Sequence, residues 1–126
     1  MGKQRGEIRD YRDLRVWQVA VDLVERIYDV TRPFPRHEMF GLAGQMQRAA
    51  VSVSANIAEG HTREYTKEYL KHISVARGSL AEVQTLLEIA ARLGYISRDE
   101  CQQVLDEAFA LGRQLTTLRN ALSRRI

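Results

Sequence analysis

Three groups of side chains in this 126-residue chain have the types and spacing to do chemistry. The first is Asn56 and Glu59, which flank Ile57 in the run Ser54-Ala55-Asn56-Ile57-Ala58-Glu59-Gly60. On a helix at least one of the two falls at the edge of the apolar stripe, where a carboxylate could act as a general acid or hold a metal. A buried amide or carboxylate needs partners, and Arg48 (a little over two turns before Asn56) and Arg77 are the candidates. The plainer reading is a hydrogen-bonded helix end that fixes register or subunit contacts, and it is the one preferred. The second group is Glu68 and His72. A di-iron helical bundle wants a Glu from each of two helices and a Glu-x-x-His motif from each of two others. Glu68 and His72 are four apart and neither has a duplicate, while His37 and His61 fall in expected loops. No metal and no other cofactor is expected.

The third group is Arg32 and His37, at the Arg-x4-His spacing of HEPN-type ribonucleases, in which the His takes part in RNA cleavage. Here Pro33 and Pro35 lie between them, so the pair belongs to a stiffened loop instead of a helix. No Ser/His/Asp or Cys/His constellation, phosphate-cradling glycine loop or Cys-x-x-Cys is present. Cys101 is the single cysteine, which excludes a disulfide framework and a cysteine-rich metal site. The expectation is a protein without catalytic residues, with a purely structural protein–protein scaffold as the alternative reading and a HEPN-like ribonuclease using His37 ranked behind both.

Four segments of helical periodicity must position these groups. In the first, Leu14, Trp17, Val21, Val24 and Tyr28 recur at spacings of three and four, with Ala20 and Ile27 widening the stripe, until Pro33 and Pro35 stop it. The second is expected from about His37 to Glu59, with Leu42, Met46, Ala49, Val53 and Ile57 inward and Gly60 as a left-handed stop. The third starts near Thr62 or Thr66, either of which could cap it. It carries Leu70, Ile73, Leu80, Val83, Leu87 and Ala90, closes at Leu93 and stops at Gly94. The fourth opens on the capping box Ser97-Arg98-Asp99-Glu100 and carries Val104, Ala108, Leu111, Leu115, Leu118 and Leu122. Short connections force neighbours to run antiparallel, so the expected fold is all-α, an antiparallel up-down-up-down four-helix bundle over residues 11–126. Residues 1–10 read as a flexible N-terminal arm.

The composition agrees with a folded helical domain: 44% hydrophobic, 28% charged and only two prolines. The longest apolar runs fall far short of the roughly 18 residues that span a bilayer, and the first ten residues lack the apolar core of a signal peptide. A cytoplasmic protein with no membrane partner is expected. The net charge of +3 hides an uneven distribution. Residues 37–112 hold ten acids against seven Lys/Arg, whereas residues 113–126 hold Arg113, Arg119, Arg124 and Arg125 and no acid. Up-down-up-down topology brings this end beside Arg12 and Arg15, which makes the six arginines a candidate surface for the phosphates of RNA or DNA. Self-association is the second expectation. The aromatics outnumber what one thin core needs, and Val16 and Val19 give the first helix a second apolar face.

The stretches Tyr11-Arg12-Asp13-Leu14-Arg15-Val16-Trp17-Gln18, Asn56-Ile57-Ala58-Glu59-Gly60, Gly78-Ser79-Leu80-Ala81-Glu82 and Leu93-Gly94-Tyr95-Ile96, with Phe34-Pro35, Glu38, Gly41-Leu42 and Gln45 between them, carry a resemblance. In this order they resemble the bacterial four-helix-bundle family named for the 23S rRNA intervening sequences that encode some members. The resemblance runs over about residues 10–122. It implies a homo-oligomer, a pentameric ring, with no established catalytic residues. A related branch, the accessory variability determinant of diversity-generating retroelements, forms a basic pentamer that binds reverse transcriptase and nucleic acid, so a nucleic-acid-processing protein joins RNA and DNA as an expected partner. Asn56, Glu59, Gly60, Gly78 and Glu82 carry over as structural or interface positions. Two departures stand out. Gln47-Arg48 replaces a pair of basic residues, which weakens phosphate binding there, and Ser54-Ala55 stands where a proline is common.

Overall fold

A computed structural model describes residues 7–126. It contains four long helices, α1 (Arg15–Thr31), α2 (Leu42–Thr62), α3 (Thr66–Arg92) and α4 (Arg98–Ser123). Two single 3-10 turns, Tyr11–Asp13 and Arg36–Glu38, lead into the first two. No strand occurs among the described residues. Each helix packs on its neighbours in chain order, and α4 closes the square against α1, while the diagonal pairs do not meet. Contacts join the end of each helix to the early turns of the next, Thr31 to Gln47, Asn56 to His72 and Leu87 to Cys101, so neighbours are antiparallel and the bundle is up-down-up-down, as expected from the sequence. Its axis is filled by one continuous cluster that includes Ile27, Met46, Val53, Ile57, Ile73, Leu87, Val104, Leu111 and Leu115, all essentially inaccessible.

Helix α1 is rotated from its predicted setting. The buried line is Ala20, Leu23, Ile27 and Val30, whereas Leu14, Trp17, Val21 and Val24 are only half-buried and Tyr28 is 45% exposed. Both lines have helical spacing, so periodicity alone could not choose between them. Val16 and Val19 pack against the edge of the core.

Helix ends also differ in instructive ways. Helix α2 begins at Leu42, not near His37, because the chain turns through Arg36–Glu38 and the Glu38 carboxylate then takes the Leu42 amide, Leu42 N–H donating to Oε1 at 3.0 Å. Gly60 does not stop α2, which continues to Thr62. Neither threonine caps α3: Thr62 Oγ1 donates to the Glu59 carbonyl at 2.8 Å, and Thr66 is already helical behind an N-cap at Tyr65. Gly94 does adopt the left-handed φ of +79° that a glycine tolerates and most residues do not. Ser97 caps α4 by accepting the Glu100 N–H at 3.1 Å. Of the arm expected over residues 1–10, residues 1–6 lie outside the described residues. Arg9 donates its amide to Asp13 at 2.8 Å, and Asp10 caps the first 3-10 turn by accepting the Arg12 amide at 2.8 Å. An edge-on Tyr11–Trp17 contact with centroids 5.3 Å apart then pins that turn to α1.

Candidate functional site

The Asn56–Gly60 motif lies at a close approach of α2 and α3. A Cβ on Gly60 would sit 2.8 Å from Tyr69 Cδ1 and 2.9 Å from His72 Cβ, so the absent side chain is what lets the helices meet. Ile57 enters the core beside it. Asn56 turns toward α3, where its Oδ1 lies 2.9 Å from His72 Nδ1, while its Nδ2 donates to the Ser52 carbonyl and hydroxyl at 2.9 and 3.2 Å. Because Oδ1 only accepts, His72 donates from Nδ1, and its Nε2 then accepts Arg63 Nε–H at 3.3 Å. Glu59 Oε2 stands 3.6 Å from the same Nδ1. Farther along, Ser52 and Ser79 hydroxyls pair at 2.8 Å and Gln45 Nε2 donates to Glu82 at 3.1 Å. Gly78 is on the exposed side of α3 with open space where a Cβ would go.

This seam is a set of satisfied hydrogen bonds. Both imidazole nitrogens of His72 are engaged, and among the described residues no buried side-chain polar atom lacks a partner. The partners of Asn56 and Glu59 are therefore His72 and Ser52; Arg48 and Arg77 do not reach them. Sequence reasoning passed over His72 after setting it aside as a metal ligand. The antiparallel turn between Thr62 and Thr66 was the signal available, since it places the first turns of α3 opposite the last turns of α2.

The other candidate residues are dispersed. Arg32 pairs with Asp29 at 3.1 Å, and the exposed His37 lies 3.9 Å from Glu38. No group of three or more His, Cys, Asp and Glu among the described residues could hold a metal. Cys101 is buried in the α3–α4 packing, its thiol directed to the Leu87 carbonyl at 3.5 Å, and burial pushes its pKa up, away from the reactive thiolate.

The six candidate arginines divide. Arg12 grips Asp10 through two nitrogens at 3.1 and 2.7 Å, and that hydrogen bond holds the Asp10 carboxyl down to about 2. Arg15 lies in the hollow between α1 and α4 with Asp22, Arg26 and Glu107. Arg113 is on the other side of α4, in the groove toward α3 with Arg77. Arg119 donates to its neighbour Asn120 at 3.3 Å, and Arg124 and Arg125 follow the end of α4 close enough for Arg125 to act on Tyr69 at the start of α3. Arg15, Arg77, Arg113, Arg119, Arg124 and Arg125 have no acidic partner within 4 Å among the described residues, whereas Arg12, Arg26, Arg32, Arg92 and Arg98 each have one.

A bundle of four antiparallel helices with a glycine-mediated α2–α3 contact and a hydrogen-bonded polar seam beside it defines a class of helical domain. The particular family is given by comparison. The family model of the 23S rRNA-intervening sequence protein matches residues 12–117, and the chain belongs to that family. The fold is similar to the crystal structure of a protein of unknown function from the S23 ribosomal protein family of Bacteroides thetaiotaomicron, with a TM-score of 0.77 and 19% identity over 83% of this chain and 95% of that one. A comparison with curated protein sequences found no match. Among the described residues no helix is long and apolar enough to cross a membrane.

Proposed function

We propose that the protein is a non-enzymatic, cytoplasmic homo-oligomer, a ring of five, that binds RNA or DNA through the basic surface of α4 and the adjoining end of the bundle. The observation that carries this reading is the run of unpaired cations on α4 and just beyond its end. From Ala108 onward the chain has no acid, and Arg113, Arg119, Arg124 and Arg125 form no ion pair with a described residue. Such a surface attracts phosphates and releases their counterions on binding. Oligomerisation draws support from the exposed apolar side of α1 and α2, where Tyr28 and Val51 are 45% and 42% accessible. The ring size rests on the family.

Light scattering with and without added RNA tests both parts. The expected result is an oligomer whose mass rises with RNA at low salt, and an affinity that falls with a log–log slope of about −0.7 to −0.9 per phosphate contacted. A monomer at micromolar concentration overturns the oligomer; no salt-sensitive retention of RNA or DNA overturns the binding. A second reading, a scaffold for another protein such as a nucleic-acid-processing enzyme, is favoured by the same α1–α2 apolar side. Recovery of a protein partner that survives nuclease treatment would select it.

A further inference from the structure

We propose that the groove between α3 and α4 is a single-strand nucleic-acid site, in which a base stacks on Phe109 and a neighbouring phosphate is held by Arg77 and Arg113. This rests on the nucleic-acid reading above and locates the site on one face. The groove has a volume of about 670 Å³ and is lined by Arg77, Gln84, Phe109, Arg113, Thr116 and Thr117. Phe109 is 47% exposed at its rim, an aromatic face offered to solvent on a helix whose other large apolar groups turn inward. Arg77 and Arg113 flank the point where Leu80 crosses Gly112, at 3.5 Å from the position of a Cβ there.

The charge at this place is uncompensated by the chain itself. One turn either side of Arg77 stand Ile73, Ser74, Leu80 and Ala81; one turn either side of Arg113 stand Phe109, Ala110, Thr116 and Thr117. Neither arginine therefore has an acid to hold it by the usual i, i+3 or i, i+4 pairing, in a chain that pairs Arg92 with Glu88 in that way at 2.9 Å. A guanidinium fork free of carboxylates suits a phosphate. Gln84, Thr116 and Thr117 add donors and acceptors that any base edge or sugar can use. A second hollow of about 500 Å³ shares Ala81, Gln84 and Phe109 and continues the path past Ile89, Arg92 and Glu88, whose carboxylate is paired with Arg92 and Arg98, so there is room for more than one nucleotide. Stacking on a side chain needs a base free of its own helix, which is why the ligand is a single strand and not a duplex.

The test is fluorescence anisotropy with labelled oligouridylate and oligothymidylate of about twelve nucleotides, and with a duplex of the same length as the comparison. The expected result is that Phe109→Ala weakens single-strand binding roughly fivefold to a hundredfold and leaves duplex binding alone, while Phe109→Trp retains it. Arg77→Ala and Arg113→Ala should each reduce the salt slope by about 0.7. The uridylate and thymidylate arms tell RNA from DNA, and preference for either supports the site. If Phe109→Ala binds as the parent does, while the triple change Arg119→Ala, Arg124→Ala and Arg125→Ala abolishes binding, the strand lies on the bundle end; this site is then wrong and the broader reading stands. If the parent protein binds no oligonucleotide at low salt, both fail. If Phe109→Ala dissociates the oligomer without weakening binding per subunit, the groove is covered by a second copy and the site is overturned.

Discussion

Helix α3 has two neighbours and meets them in opposite ways. Toward α2 it is joined along its whole length: Tyr95 to Glu38 just beyond its C-terminus, then Gln45 to Glu82, Ser52 to Ser79, Asn56 to His72, and at the far end a contact so close that only Gly60 fits. Toward α4 polar ties are confined to one end, where Glu88 pairs with Arg98 at 2.8 Å and the Cys101 thiol faces the Leu87 carbonyl; beyond them the core residues Leu80 and Val83 line α3 and an open groove carries two unpaired arginines at its rim. The difference separates two uses of polar residues. Polar groups that are satisfied within the chain specify register. Charges left unsatisfied at the surface contribute little to the fold and remain available to a ligand.

The strongest way to break the contrast is to force α2 and α3 apart. Gly60→Val adds three carbons where the first already meets Tyr69 and the His72 Cβ under 3 Å. Because His72 Cβ is fixed to its backbone, the helices must shift. The expected cost is about 3 kcal/mol, the upper part of the range for overpacking, read from the denaturation midpoint at unchanged slope. A loss under about 0.5 kcal/mol, the size of an ordinary surface change, would mean the close approach does not hold the seam.

Next in size is the hydrogen bond that crosses the seam. His72→Ala leaves the half-buried Asn56 Oδ1 without its donor, at an expected cost of about 1–2 kcal/mol. A double-mutant cycle with Asn56→Ala should return a coupling of at least about 0.5 kcal/mol. The same cycle between Arg77 and Arg113 across the groove should return a coupling no larger than measurement error, since they share no bond.

What the sequence disclosed follows the same division. Helices α2, α3 and α4 were legible because each has one apolar stripe, and residues such as Met46, Val53, Ile73, Val83, Leu111 and Leu115 are buried as their spacing predicts. Helix α1 was legible as a helix but not in its rotation, since Leu23 and Val30 compete on equal terms with Val21 and Tyr28 and only packing chooses. Gly60 and His72 were misread for a common reason. Both act through a contact between helices, and a local pattern reports only what a residue does to its own segment. The unpaired Arg113 was visible because a lack of acids one turn away is local. Its separation from Arg15 was not, because it depends on which side of α4 each neighbour occupies.

A smaller effect is expected at the tie beyond the end of the seam. Glu38 accepts the Leu42 amide on Oε1 and the Tyr95 hydroxyl on Oε2, each at 3.0 Å, and these two bonds, the amide first, lower its pKa. A carboxylate whose folded pKa is lowered contributes stability that is complete above its unfolded value and is lost as the pH falls through the lowered one. For Tyr95 the sign reverses. Its pKa is raised, chiefly by the bond to Glu38, so its contribution is present below the unfolded tyrosine value and is lost as pH rises through the folded one. Melting temperatures of the parent should therefore fall toward about pH 3 more steeply than those of Glu38→Gln, which has no charge to lose. Parallel curves would remove Glu38 from the α2–α3 tie.

The smallest effect should appear on the open side, and its sign is the useful part. Gly112 lies at the α3–α4 contact as Gly60 lies at the α2–α3 contact, but a Cβ there meets only the tip of Leu80 at an ordinary 3.5 Å. Alanine in place of glycine inside a helix gains up to about 1 kcal/mol from the reduced freedom of the unfolded chain. Gly112→Ala should thus stabilise the protein by about 0.5–1 kcal/mol, whereas Gly60→Ala sets the same gain against a clash and should gain nothing. The glycines on the two helices that flank α3 would then differ, one substitution stabilising and the other not, with the thermal midpoint as the measurement. If both substitutions stabilise equally, the α2–α3 contact is no tighter than the α3–α4 contact, and the closed seam and open groove are one kind of packing.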